Sequence, residues 1–549
     1  MKPIPFALSA CCALLLACQT PHTQPSANAT HHVSPDIWQP DLTNGTYKNP
    51  VIHADYSDPD AIRVGDMYYM TSSSFNSAPG LPLLQSKDMI NWELVGHALP
   101  QQIPEDVFAV PQHGKGVWAP CIRYHDNQFW IFYPDPDFGI YVITAKNFTG
   151  PWSKPHLLLA GKGIIDPTPL WDDDGNAYLL HAWAKSRAGI NNMLTLRKMS
   201  ADAKTILDTD GKVVIDGNKL PNYRTLEGPK FYKYNGYYYV FAPAGGVEFG
   251  WQSVFRAKNI AGPYEDKIVM DQGSSPINGP HQGAWVRNAD GSDWFYHFQD
   301  KGAYGRIVHL QPMHWKNDWP VIGGESASPE KGQPVLVHKK PIAGNFEIKN
   351  PATSDDFSAK TLGYQWQWNA NWKTEWYSLQ ANKGNLRLFT QADTSYSSNQ
   401  NLWMTPSILT QKLPAENFSV TVKMDIDHLS GRAGLLMYGF DYAWVGVERQ
   451  GASTKFIVAQ CEKAESNCKE SISELGKVTG KSIRLKMTVH TGAQVSFAFA
   501  NDQGEFTPVS KTFTASVGRW VGAQLGVFTV GSTASAENFV DMDYFNFEH

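Results

Sequence analysis

The chain has 549 residues, 42% of them hydrophobic and 13% aromatic, so it can bury sizeable cores in two or three domains. Its formal net charge of −5 suggests no nucleic-acid partner. With 45 Gly and 35 Pro among many short aromatic runs, the composition favours an all-β protein.

Residues 1–18 read as an export signal. Lys2 gives the positive start, and residues 6–17 form an apolar run too short to span a bilayer as a mature helix. The run ends Leu15-Leu16-Ala17-Cys18, which resembles the lipobox of bacterial lipoproteins, where the Cys is diacylated and becomes the new N-terminus. Ordinary cleavage with periplasmic or secreted release is the alternative. Residues 19–40, rich in Pro, Thr, Ser, Asn and His, read as a flexible tether. With Gln19 after the Cys, the expected location is the bacterial outer membrane.

From residue 41 to 335 one pattern recurs five times. Asp58 opens DPDAIRVGDMYYM, Trp118 opens WAPCIRYHDNQFWIFY, and Asp166 opens DPTPLWDDDGNAYLL. Glu227 opens EGPKFYKYNGYYYVFA, and His281 opens HQGAWVRNADGSDWFYHF. After each opener come a strand, a turn rich in Gly, Asp or Asn, and an aromatic return strand. Asn235-Gly236 is the strongest hairpin signal among them. The openers fall roughly 50–60 residues apart, room for a hairpin and two further strands, which is the span of a propeller blade. Five repeats predict five blades. In a radial arrangement the start of each innermost strand faces the axis at one end, so Asp58, Asp166 and Glu227 are expected to meet there.

Residues 336–352 read as a connector. From 353 to 549 short alternating runs such as FSVTVKM and IRLKMTV are separated by polar turns, which suits a β-sandwich. Helical periodicity is confined to one short candidate. Of six cysteines, Cys11, Cys12 and Cys18 belong to the signal and Cys121 reads as a buried thiol. Cys461 and Cys468 flank a polar hexapeptide and could close a small disulfide in an exported protein. No Cys/His zinc spacing is present.

Asp-Pro and Glu-Gly-Pro are, singly, ordinary strand-entry turns. Three acids in one structural slot crowd negative charge around an axis, which a fold tolerates mainly for function. Paired carboxyls suit glycoside hydrolysis, one protonating the leaving oxygen and one activating water or attacking. Asp60 rivals Asp58, because residues two apart in a strand face the same side. Asp172, Asp173 and Asp174 read as a hairpin turn. The abundant aromatic rings suit stacking on sugars, although for any single ring core packing is the stronger reading.

The set YSDPDAIRVGD, VWAPCIRYHDNQFWIFY, IIDPTPLWDDDGNAYLLHAW, LEGPKFYKYNGYYYVF, PHQGAW and GRIVHLQPMHWKNDWPVIG resembles glycoside hydrolase family 43. These are the five-bladed propeller β-xylosidases and α-L-arabinofuranosidases. WQWNANW and the closing DMDYF resemble the jelly-roll, concanavalin-like sandwich that follows the propeller in many family β-xylosidases.

The resemblance implies Asp58 as the general base that activates water, and Glu227 as the general acid. Asp166 is then the third carboxylate, raising the pKa of the acid and orienting it. It implies Arg306 on the terminal sugar, Trp118 as a pocket wall, and His281 either beside the sugar or on a calcium ion. No cofactor is implied as required. Structural calcium is considered at His281 and at the Asp541/Asp543 pair. The expected activity is exo-acting, inverting removal of a terminal pentose from xylo- or arabino-oligosaccharides, with membrane contact only through lipid on Cys18. An endo-acting arabinanase and a non-catalytic carbohydrate-binding lipoprotein are the alternatives.

Overall fold

A computed structural model describes residues 37–393 and 401–548; the stretch read as an export signal, Cys18 and most of the stretch read as a tether lie outside them. Residues 60–322 form five antiparallel sheets of four strands, each laid down in sequence order from the innermost strand outward. The innermost strands are Asp60–Val64, Cys121–His125, Ile164–Trp171, Lys230–Tyr234 and His281–Arg287. Neighbouring innermost strands contact one another around the axis. This is the five-bladed propeller expected from the repeats.

Local chemistry sets each blade. In the fourth, Asn235 (φ 47°) and Gly236 (φ 72°) make the turn, and Tyr234 pairs directly with Tyr237. A two-residue turn of this hand needs positive φ at both positions, which Asn-Gly supplies at little steric cost. The aromatic strands then fill the space between blades. Tyr234 lies 5.3 Å from Trp285 and 5.0 Å from Trp315 between ring centroids, joining blades four and five. Cys121 is buried, and burial pushes its thiol up to about 12, so it is an inert core group.

The ring closes through residues before the first blade. Ile52 and Val308 exchange backbone hydrogen bonds of 3.3 and 3.0 Å. The Asn49 side chain donates to the Leu310 and Val335 carbonyls and accepts from the Leu310 amide. Strand Thr46–Lys48 pairs with Val337–Lys339, so the stretch expected as a bare connector carries a strand that ties back to the start of the propeller.

The C-terminal unit is a sandwich of two eight-stranded sheets. Alternation drives it: in Ser482–His490 the residues Ile483, Leu485, Met487 and Val489 are fully buried, and the residues between them are part exposed. Cys461 and Cys468 are disulfide-bonded, with Cα atoms 6.0 Å apart. Strand Phe539–Glu548 lies inside its sheet, between Leu386–Phe389 and Phe418–Asp425. Asp541 receives Arg387 through two N–H bonds of 2.8 Å, and Asp543 lies 3.1 Å from the Lys423 ammonium. The pair considered for calcium is therefore engaged by cations from its own sheet.

Propeller and sandwich share backbone hydrogen bonds. Ala78 and Trp368 exchange them at 3.1 and 2.7 Å. Ile37 and Tyr304 pack into the sandwich core. The one α-helix among the described residues is the single turn Lys185–Ala188, and no described helix is long and apolar enough to cross a membrane.

Candidate active site

The acids of the repeats meet in one pocket at the end of the propeller axis. It spans about 490 Å³, its opening to solvent included, and is lined by Asp58, Asp166, Glu227, Trp118, His281 and Arg306, together with Phe75, Ala119, Ile165, Val247, Gln282 and Trp520. Every candidate position in the propeller is present. Five of the lining residues, Asp58, Phe75, Asp166, Gln282 and Trp520, have positive φ without being glycine. Backbone of this kind costs on the order of 1–3 kcal/mol per residue and persists where the surrounding structure enforces it.

Asp58 (φ 56°) lies two residues before the innermost strand of blade one. Its left-handed backbone breaks strand alternation, which separates it from its rival. Asp58 lines the pocket, whereas Asp60 turns between blades one and two. There Asp60 accepts from the Ile122 amide at 2.8 Å and from Arg123 at 2.9 Å, and its side chain is fully buried. The Asp172–Asp174 stretch is a turn: Asp172 receives Lys233 and Tyr238, and Asp174 caps the Asn176 amide.

One Asp58 oxygen accepts from the Ser73 hydroxyl at 2.5 Å, and the other lies 3.5 Å from the Arg306 guanidinium. Burial raises the Asp58 carboxyl, while Arg306 and Ser73 pull it back toward the ionised form. Asp166 sits where the third blade's inner hairpin shifts register between Ile165 and Thr168. This bulge swings its side chain to the pocket. Asp166 accepts from the Gly228 amide at 2.7 Å and from Gln282 at 3.4 Å.

Glu227 has no such donor. Among the described residues no N–H or O–H reaches its carboxyl, and the nearest cationic-type group, His281 Nε2, is 3.8 Å away. Burial, then the charges of Asp166 and Asp58, push its carboxyl up to about 8. Burial also raises Asp166, against the pull of the Gly228 amide. The two carboxyls titrate as a pair. Asp166 has donors that favour its anion and Glu227 has none, so the proton the pair retains near neutral pH rests on Glu227.

His281 is neutral: burial, then Arg306, push its imidazole down to about 3. Both ring nitrogens are buried without a hydrogen-bond partner. Calcium takes roughly six to eight oxygen ligands. His281 offers one nitrogen toward such a shell, and among the described residues no three His, Cys, Asp or Glu side chains converge on a metal position.

Trp118 donates its indole N–H to Gly114 at 3.0 Å and meets Trp520 edge to face, with centroids 6.2 Å apart. Arg306 lies over the Phe298 ring at 4.9 Å. Trp520 belongs to the sandwich and closes the pocket from outside the propeller. No repeat or motif marked it. Gln282 and Ser73 were missed as well, although Gln282 immediately follows a repeat opener and so lay within reach of the same logic.

Comparison with known proteins agrees with this fold. The family model "Glycosyl hydrolases family 43" matches residues 47–320, and "Beta xylosidase C-terminal Concanavalin A-like domain" matches 354–548. A Xylanibacter ruminicola protein named "Putative beta-xylosidase" is 37% identical, covering 89% of this chain and 87% of its own. A "Beta-xylosidase" of Formosa agariphila is 31% identical over 99% and 98% of the two chains. A "Non-reducing end alpha-L-arabinofuranosidase" of Bacteroides ovatus is 28% identical over 92% and 95%. Among solved structures, "Bacteroides ovatus Xyloglucan PUL GH43B" superposes with a TM-score of 0.77 at 26% identity, covering 92% of this chain and 99% of that one. With the propeller and the concanavalin-like partner domain both matched across most of its length, the chain belongs to glycosyl hydrolase family 43.

Proposed function

We propose that the protein is an exo-acting glycoside hydrolase that removes a terminal non-reducing pentose, β-D-xylosyl in the first place, with inversion at the anomeric carbon. The observation that carries this reading is the unequal surroundings of the acids: burial, Asp166 and Asp58 raise Glu227, whereas Asp58, raised by burial, is drawn part of the way back by Arg306 and Ser73. In this reading Glu227 protonates the departing oxygen as the glycosidic bond breaks. Asp58 takes a proton from water as that water attacks the opposite face of the sugar. Asp166 keeps Glu227 protonated, and Arg306 binds the terminal pentose. Inversion needs the two working carboxyls roughly 6.5–9.5 Å apart, so that water fits between base and sugar.

The ring of Trp520 set against Trp118 at the pocket supports exo action, since an endo enzyme needs a groove open at both ends. The xylosidase names of the relatives at 37% and 31% identity favour xylose. α-L-Arabinofuranoside is the second reading, favoured by the name of the Bacteroides ovatus relative. The test is a paired rate measurement on 4-nitrophenyl β-D-xyloside and 4-nitrophenyl α-L-arabinofuranoside, with the first-formed product anomer followed by NMR. Faster xyloside turnover giving α-xylose supports the proposal. Retention of configuration rejects the roles assigned to Asp58 and Glu227, and no turnover on either pentoside favours a carbohydrate-binding protein.

A further inference from the structure

The two domains meet directly behind the pocket at one buried carboxylate. Asp55, three residues before Asp58 and 6% exposed, accepts the Arg306 amide on Oδ1 at 2.9 Å and the Gly522 amide on Oδ2 at 2.8 Å. The first amide belongs to the residue assigned to the sugar. The second belongs to the sandwich loop that carries Trp520. Asp55 thus joins three segments that each bring a side chain to the pocket: its own, with Asp58; that of Arg306; and that of Trp520.

The packing allows this only because two of the contacting residues lack side chains. A Cβ on Gly305, which has φ +77°, would lie 2.4 Å from Asp55 Cγ. A Cβ on Gly522 would lie 2.6 Å from the Gly305 nitrogen. The turn before Arg306 is fixed to the sandwich at further points. Ala523 donates to the Ala303 carbonyl at 2.7 Å, Lys301 pairs with Glu416, and the Tyr304 hydroxyl accepts from Ala493 at 2.9 Å. Sandwich docking therefore holds the backbone on which Arg306 is mounted, and Asp55 is where that constraint meets the segment of the base.

We propose that Asp55 is a positioning residue that couples sandwich docking to the placement of Arg306 and Trp520, and so sets the affinity of the pocket for its sugar. This rests on the assignment of Arg306 to the terminal pentose. Asp55 touches no reacting atom. Loosening Arg306 weakens its hold on the pentose and raises KM; because it also lies 3.5 Å from Asp58, kcat is compared on the pH plateau where Asp58 is ionised in every variant, and there it stays nearly unchanged.

The test compares wild type, Asp55→Asn and Gly522→Ala on the two nitrophenyl pentosides, with Tm measured for each. Asp55→Asn preserves shape but faces one of the two amides with a donor in place of an acceptor. Gly522→Ala disturbs the same junction from the sandwich side. The expected result is a KM raised about tenfold in both variants with kcat within about twofold, and a Tm lowered more by Gly522→Ala, whose Cβ meets backbone, than by Asp55→Asn. Asp55→Asn with lowered Tm but unchanged KM would make the junction a structural tie only and overturn the proposal, as would a fall in kcat at constant KM. If Asp55→Asn does not fold, unchanged KM in Gly522→Ala overturns it. Wild-type protein inactive on both pentosides removes the site assignment itself, an outcome distinct from an active wild type with an insensitive junction.

Discussion

At Glu227 burial and the neighbouring charges of Asp166 and Asp58 raise the carboxyl, which suits it to carry a proton. Glu227→Gln should lose about 10²–10⁴-fold in kcat on natural xylosides, and much less on substrates whose leaving group needs no protonation. Asp58→Asn should lose activity on both kinds alike. Steady-state kinetics across a series of aryl xylosides checks this, and equal losses for both variants would remove the acid assignment. Asp166→Asn takes away an anion that raises Glu227. The pKa of Glu227 then falls, its protonated form is lost at lower pH, and the alkaline limb of kcat/KM moves toward acid. A pH–rate profile in which that limb stays fixed would leave Asp166 only the work of orienting. These three acids were legible in the sequence because each occupies the same slot of a repeat. The choice of Asp58 over Asp60 rested on the family motif, since strand periodicity alone treats them alike. It is the positive φ at Asp58, a backbone feature that no side-chain pattern encodes, that separates them in space.

Among elements, the blade hairpins were the most legible, since Asn235-Gly236 and the aromatic runs on either side specify turn and register locally. Strand Val337–Lys339 was not. Val337 is 53% exposed and the strand lies at an edge, so no alternation of apolar and polar residues announces it. The loop carrying Trp520 was equally silent, because its role depends on contact with a distant domain. Trp520 is 47% exposed and meets Trp118 edge to face, an arrangement worth about 0.5–1.5 kcal/mol. Trp520→Ala should therefore lower kcat/KM on xylobiose by about two- to tenfold, with Tm little changed. Kinetics and a melting curve check this, and a large fall in Tm would show instead that the ring is structural.

At the scale of the whole molecule, two domains and an N-terminal extension were readable because the sequence changes vocabulary at each junction. The way the domains dock was not readable, since it depends on close approaches at Gly305 and Gly522 that single glycines do not advertise. We propose in addition that the extension places the enzyme at the cell envelope, with lipid on Cys18 and residues 19–40 as a tether; the lipobox-like sequence motivates this. A diacylated terminus anchors stably, whereas one chain binds membrane only marginally. Cys18→Ala should move the protein from the membrane fraction to the soluble fraction with kcat/KM unchanged, read by fractionation and mass spectrometry of the mature N-terminus. Wild-type protein that is fully soluble and begins at a residue other than Cys18 would replace the anchor with free release.

The bond between Asp55 and Gly522 spans 467 residues of sequence, and this bears on when the enzyme becomes active. The propeller is complete by residue 339 and N-terminal domains fold first, so its acids can meet before the wall at Trp520 that completes their pocket is in place. Strand Phe539–Glu548, which holds two inner strands of the sandwich together, comes later still. On the proposed role of Asp55, full sugar affinity then waits on one of the last segments of the chain to be added.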